Sequence, residues 1–196
     1  MSWLGIVLTF SLAENVLLVH LLGLVPSDAA PAEPGRTAAA GLAVTFLAGA
    51  SAAAAWVLRR LVLDPLGLAW LQTPGFVLAV VGIATLGRLA LRAFAPRAGD
   101  LFGPVLRPSG ASAAALGTVL VAARAGFGLV EGLAAGLASG AGFLVAVSIL
   151  SGVAGRLEPG EAPSSMRGLP LSLVSAGLAA LAFAAFDHAL IARLVP

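Results

Sequence analysis

The sequence predicts an all-α, polytopic membrane protein of about six transmembrane helices, organised as one domain over residues 1–196. Two bulk observations predict it. Of 196 residues, 60% are hydrophobic and only 10% are charged, whereas a soluble domain carries roughly 25% charged residues. Mean hydropathy is +1.04, and a soluble core of this size has no room to hide so much apolar surface. Lipid solvates it directly. The third observation is the spacing: the apolar residues fall into six runs near the ~20 residues that a helix needs to cross the hydrocarbon core.

The first run covers residues 3–24 and ends in a polar, Pro-rich loop that reaches Arg36. It is too long for the apolar region of a signal peptide and lacks a basic start, so it reads as a retained span. The second run covers 37–58, with Arg59 and Arg60 expected to stop it. Residues 61–71 are too short to cross, and Asp64 and Pro65 break them. They are expected at the interface, where Trp70 suits the headgroup region. The third span is expected at 74–94. The fourth is interrupted: 101–106 is apolar, Arg107-Pro108-Ser109-Gly110 intervene, and 111–123 resumes. Proline removes a backbone donor and glycine loosens the chain, so a broken fourth helix is predicted. The fifth and sixth spans are expected at 129–153 and 169–190. Breaks near Gly23/Pro26 and near Pro108/Gly110, each followed by three helices, suggest an inverted 3+3 repeat.

Charge excludes some functions and points to others. The net charge is +2, every basic residue is arginine or histidine, and no basic stripe with interleaved aromatics occurs. A nucleic-acid partner is not expected. With the N-terminus outside, inner loops hold Arg36, Arg92, Arg97, Arg156 and Arg167, against Arg59, Arg60, Arg124 and Arg193 outside. The bias to positive-inside is slim. Cysteine is absent, so this chain supplies no thiolate for a disulfide, metal or cluster.

Ionisable groups inside a membrane are costly and mark functional candidates. Glu14 lies mid-span beside Asn15, Arg88 lies within the third span, and Arg107 lies at the fourth-span break, near Ser112. Of these, Glu14 most needs a partner, a proton or water. His20 reads as a satisfied interior histidine. Glu131, Asp187 and His188 fall near span ends and are expected to reach interfacial water. Gly132, Gly136 and Gly140 recur every four residues, a spacing that lets helices approach closely. Ser139-Gly140 is a partial match to an intramembrane serine protease, with His188 as a partner, but Leu137 occupies a position that motif gives to glycine.

The stretch Glu14-Asn15-Val16-Leu17-Leu18-Val19-His20-Leu21-Leu22-Gly23-Leu24-Val25-Pro26 resembles the first helix of the Rnf/Nqr family, closest to its A-type members in Rnf and its E-type members in Nqr. That family reads Asn-Asn, an apolar run, then Leu-Gly-Leu-Cys-Pro. Further likenesses follow in order: Leu42-Ala43-Val44-Thr45-Phe46, Ala55-Trp56, Gly155-Arg156-Leu157, Pro163, Met166-Arg167-Gly168, Ala176-Gly177-Leu178 and Leu181-Ala182-Phe183. The resemblance implies a six-helix subunit in the bacterial inner membrane. It would pair with a paralogous six-helix partner and share with it an iron–sulfur cluster that passes electrons, coupled to sodium or proton movement. Flavins and further iron–sulfur centres are expected on partner subunits.

The family cysteines fall on Val25 and Ala113, neither of which can ligate iron. The resemblance therefore implies a membrane subunit of an ion-translocating electron-transport complex that lacks a conventional ligand set and holds no cofactor alone. The candidate polar or ion-path residues are Glu14, Asn15, Arg88, Arg107 and Ser112, with Glu14 and Arg107 expected to pair across the former cluster space. Two alternatives keep the fold: a small transporter or channel-like protein, and a structural or assembly paralogue.

Overall fold

A computed structural model describes residues 3–13, 15, 18–20, 34–94, 110–156 and 169–186. Among them the backbone is helical with no strand. We label the helices α1 (Trp3–Leu8), α2 (Pro34–Leu58), α3 (Gln72–Phe94), α4 (Gly110–Arg124), α5 (Leu129–Arg156) and α6 (Leu169–Phe186). Two π-helical turns, Thr9–Ala13 and Arg59–Leu63, extend α1 and α2, and a short 3₁₀ turn covers Ala69–Leu71. Prolines sit where a helix tolerates them, at the first position of α2 and in the first turns of α3 and α6, because those N–H groups have no intrahelical partner anyway.

Among the described residues, three segments are long and apolar enough to cross a membrane: Gly41–Leu63, Ala69–Phe94 and Leu129–Val153. Ala113–Arg124 and Leu173–Ala184 are shorter apolar helices. Large apolar side chains point outward along α3 (Leu78, Leu86, Leu89) and α6 (Leu173, Leu178, Leu181). So much exposed apolar surface fits lipid as solvent. The chain is a polytopic α-helical membrane protein.

The bundle is organised about α2 and α5, its most extensive packing pair. They run antiparallel: Gly41 meets Leu144, Thr45 meets Gly140, and Gly49 meets Gly136. In lipid no hydrophobic effect drives helices together, so close van der Waals packing between small residues has to do it. A methyl group at Gly136 would lie 2.6 Å from the Gly49 Cα, and one at Gly140 would lie 2.6 Å from the Thr45 Cβ. The expected glycine stripe is a helix seam, with one exception: among the described residues nothing lies within 4 Å of where a Cβ on Gly132 would be.

The chain ends of these helices are closed by backbone geometry. Gly126 (φ 71) follows α4, and Phe127 and Gly126 donate to the Ala122 and Ala123 carbonyls. Gly67 (φ 66) follows the second π-turn in the same way, with Leu68 donating to Leu63. This is the Schellman arrangement, which needs a left-handed residue that glycine adopts without strain. At the other side of the loop, Glu131 sits at the third position of α5 and accepts the Gly128 N–H at 2.9 Å, satisfying a free donor at the helix start.

Two sequence expectations are corrected. Arg59 and Arg60 do not stop the second helix. It runs on as a π-turn to Leu63, because Arg59 is used against a neighbouring helix: it donates from a guanidinium N–H to the Ala123 carbonyl at 3.2 Å. The first span is not a continuous helix through residue 24. Among the described residues the helical backbone reaches Ala13, and Asn15 and Leu18–His20 are not part of a helix. The interruption expected near Gly23/Pro26 lies outside the described residues, as do the 101–109 half of the fourth span and hence its break.

Candidate functional site

The break after the first π-turn is the place where the interior needs polar chemistry. Leaving a helix at membrane depth strands carbonyls and N–H groups, and no water is present in hydrocarbon to satisfy them. Its partner on α5, Gly142, is thirteen positions beyond Leu129, or about 20 Å along the axis at 1.5 Å per residue. That is well inside a bilayer.

Asn15 answers this need. It is fully buried, as is Leu18. Its Nδ2 donates to the Ser11 carbonyl at 3.0 Å and, across helices, to the Gly142 carbonyl at 2.9 Å. Its Oδ1 accepts the Leu18 N–H at 3.3 Å, and its own carbonyl accepts the Val19 N–H at 2.8 Å. One amide thus uses two donors and an acceptor, which no apolar residue can do. The backbones approach so closely that a methyl group at Gly142 would meet Ser11 and lie 3.0 Å from the Asn15 Nδ2. Ser11 points elsewhere, donating to the Val7 carbonyl at 2.7 Å.

A second buried polar contact joins α4 to α5. The Thr118 and Ser139 hydroxyls lie 2.6 Å apart, and Thr118 donates to the Ala114 carbonyl at 3.0 Å. Thr118 has one proton and spends it on Ala114, so Ser139 donates to Thr118. This holds Ser139, a residue only 2% exposed, as an interhelical tie, not presented as a nucleophile. Replacing Ser139 with alanine is expected to cost under about 1 kcal/mol, since interhelical hydrogen bonds in membranes average about 0.6 kcal/mol; reversible unfolding in mixed detergent measures it. Ser51 on α2 is also fully buried, and its hydroxyl has no hydrogen-bond partner among the described residues.

The other sequence candidates are dispersed. Arg88 is half-buried on α3, a helix that packs on α2 and α4, whereas Asn15 packs on α5. Ser112 lies in the first turn of α4, and Ala113 follows it, half-buried. His20 is exposed rather than interior, because the turn at Leu18–His20 carries it outward. Glu14, Val25, Arg107, Asp187 and His188 lie outside the described residues, and so does the expected Glu14–Arg107 pair.

An iron–sulfur cluster does not fit this chain's donors. The sequence has no cysteine, and of the two expected ligand positions Val25 offers only an isopropyl group and Ala113 only a methyl. No step through a cluster follows from these residues.

Three features are not evident in the sequence. Thr118 gives no signal of its own. Arg59 looks like a charge at a span end, although its position one turn past Ala55-Trp56 places it beside the end of α4. Ser51 is an ordinary serine among alanines.

An α-helical membrane bundle with a buried, amide-sealed helix break defines the class. A family model for the Rnf-Nqr subunit, a membrane protein, matches residues 3–190, and the chain belongs to that family. It is 32% identical over 181 residues to the A-type subunit of the ion-translocating oxidoreductase complex of Cereibacter sphaeroides, covering 92% of this chain and 94% of that one. It is 28% identical over 187 residues to the A-type subunit of the Na(+)-translocating ferredoxin:NAD(+) oxidoreductase complex of Acetobacterium woodii, covering 95% and 97%. The corresponding protein of Syntrophotalea carbinolica is 31% identical over 175 residues, covering 89% and 91%.

Proposed function

We infer that this chain is a membrane subunit of an ion-translocating electron-transport complex of the Rnf/Nqr type. The observation that carries the reading is near end-to-end similarity to chains named as A-type subunits of such complexes. The chain acts as scaffold and ion path and is not a catalyst by itself. Its place is the bacterial inner membrane, as a multi-pass protein beside a paralogous six-helix partner and the other subunits, which carry the flavins and iron–sulfur centres. Glu14, Asn15, Arg88, Arg107 and Ser112 line or order the polar route, and Glu14 and Arg107 pair across the space that family cysteines would frame.

The buried break at Asn15 supports this, because interrupted helices at membrane depth recur where ions cross. The replacement of both expected thiolates by Val25 and Ala113 favours a second reading, a small transporter that kept the fold without electron transfer. Purification of the native complex in mild detergent, with mass spectrometry and iron analysis, separates them. Stoichiometric flavoprotein and iron–sulfur chains are the expected result. An iron-free protein found alone or as a homo-oligomer would reject the electron-transport reading.

A further inference from the structure

One end of the bundle is built differently from the rest. As the first helical segment advances from Phe10 to Asn15, its partners on and before α5 advance from Phe127 to Gly142, so these two run parallel. Helix α2 runs antiparallel to α5. The start of α1, the ends of α2 and α4 and the starts of α3 and α5 therefore share one membrane face. Trp3, Trp56 and Trp70, the chain's three tryptophans, are all at this end, as are Arg59, Arg60 and Arg124.

Between the helices here lies an open recess of about 30 Å³, with Ala52, Trp56, Arg59, Phe76, Phe127 and Gly132 among its walls. Gly132 is the seam glycine with empty space in front of it. Arg59 is held in place: its Nη1 is on the Ala123 carbonyl at 3.2 Å, and its Nε is 3.9 Å from Asp64 Oδ1. A guanidinium has five N–H donors. One is committed to Ala123 and a second faces Asp64 at more than hydrogen-bonding distance. Its remaining donors have no partner among the described residues. Arg60 and Arg124 are exposed beside it; besides Asp64, the other nearby carboxylate is Glu131, which accepts the Gly128 N–H. Next to these charges Leu61, Val62 and Leu66 are exposed and apolar.

We propose that this recess is a binding site for an anionic phospholipid, with the phosphate on the spare donors of Arg59. A planar, pre-positioned guanidinium fork matches phosphate oxygens in a way that a point charge does not. Arg60 and Arg124 add attraction for a net-negative headgroup. Trp56 and Trp70 set the depth of the headgroup region, and the Leu61–Val62–Leu66 surface takes the first methylenes of an acyl chain. An amphiphile uses both halves of the surface, whereas free phosphate uses only one. The site is independent of the electron-transport reading.

Native mass spectrometry of the delipidated full-length protein, titrated with phosphatidylglycerol or phosphatidylcholine, tests this. The expected result is at least tenfold tighter binding of phosphatidylglycerol. Arg59→Gln is expected to abolish the preference and Arg59→Lys to weaken it. Gly132→Leu, which fills the recess and leaves every charge in place, is expected to reduce binding of phosphatidylglycerol. Should Arg59→Gln not yield monodisperse protein, the Arg60→Gln/Arg124→Gln pair is expected to lower the preference severalfold on an intact Arg59. Equal binding of the two lipids would overturn the proposal. So would a preference untouched by both the arginine variants and Gly132→Leu, or full displacement by millimolar inorganic phosphate, which would make it a simple anion site.

Discussion

Gly136→Ala is expected to destabilise the protein by about 2–3 kcal/mol, the upper part of the range for overpacked cores. The sign is decided by two opposed effects. Alanine is the better helix former by up to about 1 kcal/mol. Against that, its methyl would lie 2.6 Å from the Gly49 Cα, 2.7 Å from the Gly49 nitrogen and 2.9 Å from the Ala48 carbonyl carbon. Those are backbone atoms of α2, which cannot rotate aside as a side chain would, so the two helices have to separate. Gly132→Ala, four residues earlier on the same stripe, is the control: its methyl enters empty space, so it is expected to be neutral or stabilising by up to about 1 kcal/mol. Reversible unfolding of both variants in mixed detergent distinguishes the sites. Equal effects would mean that the seam does not hold α2 and α5 in backbone contact.

Asn15→Leu is expected to cost about 2–4 kcal/mol. Leucine is close in size but provides neither donor nor acceptor. The Gly142 carbonyl sits inside a helix and keeps its own helical partner, so losing Asn15 costs it little. The Leu18 N–H is different: it is buried beside a helix break and loses the acceptor it has. An orphaned buried donor costs about 1–3 kcal/mol, and the lost interhelical bond to Gly142 adds only about 0.6 kcal/mol. Asn15→Asp is expected to be destabilising as well, because it keeps the acceptor for Leu18 and removes the donor shared by Ser11 and Gly142. A measurement on the assembled complex adds a second readout: if Asn15 only seals the break, loss of stability and loss of complex assembly should run in parallel.

Much of the architecture is legible because membranes make it so. Length and hydropathy alone locate α2, α3 and α5 within a few residues, and the four-residue glycine period announces a close helix contact. What the period cannot say is that Gly132 is unlike Gly136 and Gly140, because that depends on where α2 diverges from α5. At the candidate site the sequence draws attention to Glu14 for its charge, with Asn15 as its neighbour. The structure shows the amide to be the group that closes the break, because backbone polarity, absent from any reading of side-chain charge, sets the need there. Arg59 misleads for a related reason. A charge at the end of an apolar run looks like a stop, and only the position of the Ala123 carbonyl shows that it is a tie between helices. Thr118 and Ser139 are twenty-one residues apart, and their meeting follows from the tight Ala125–Gly128 turn that folds α4 back along α5.

The gathering of Trp3, Trp56 and Trp70 at one face has an optical consequence. The protein has no tyrosine, so its near-ultraviolet emission comes from indoles that all sit at one leaflet. Quenchers confined to that leaflet see the whole signal, and quenchers in the opposite one see almost none. The chain therefore carries an unmodified marker of its own sidedness, able to report in a sealed vesicle which way the bundle has been inserted.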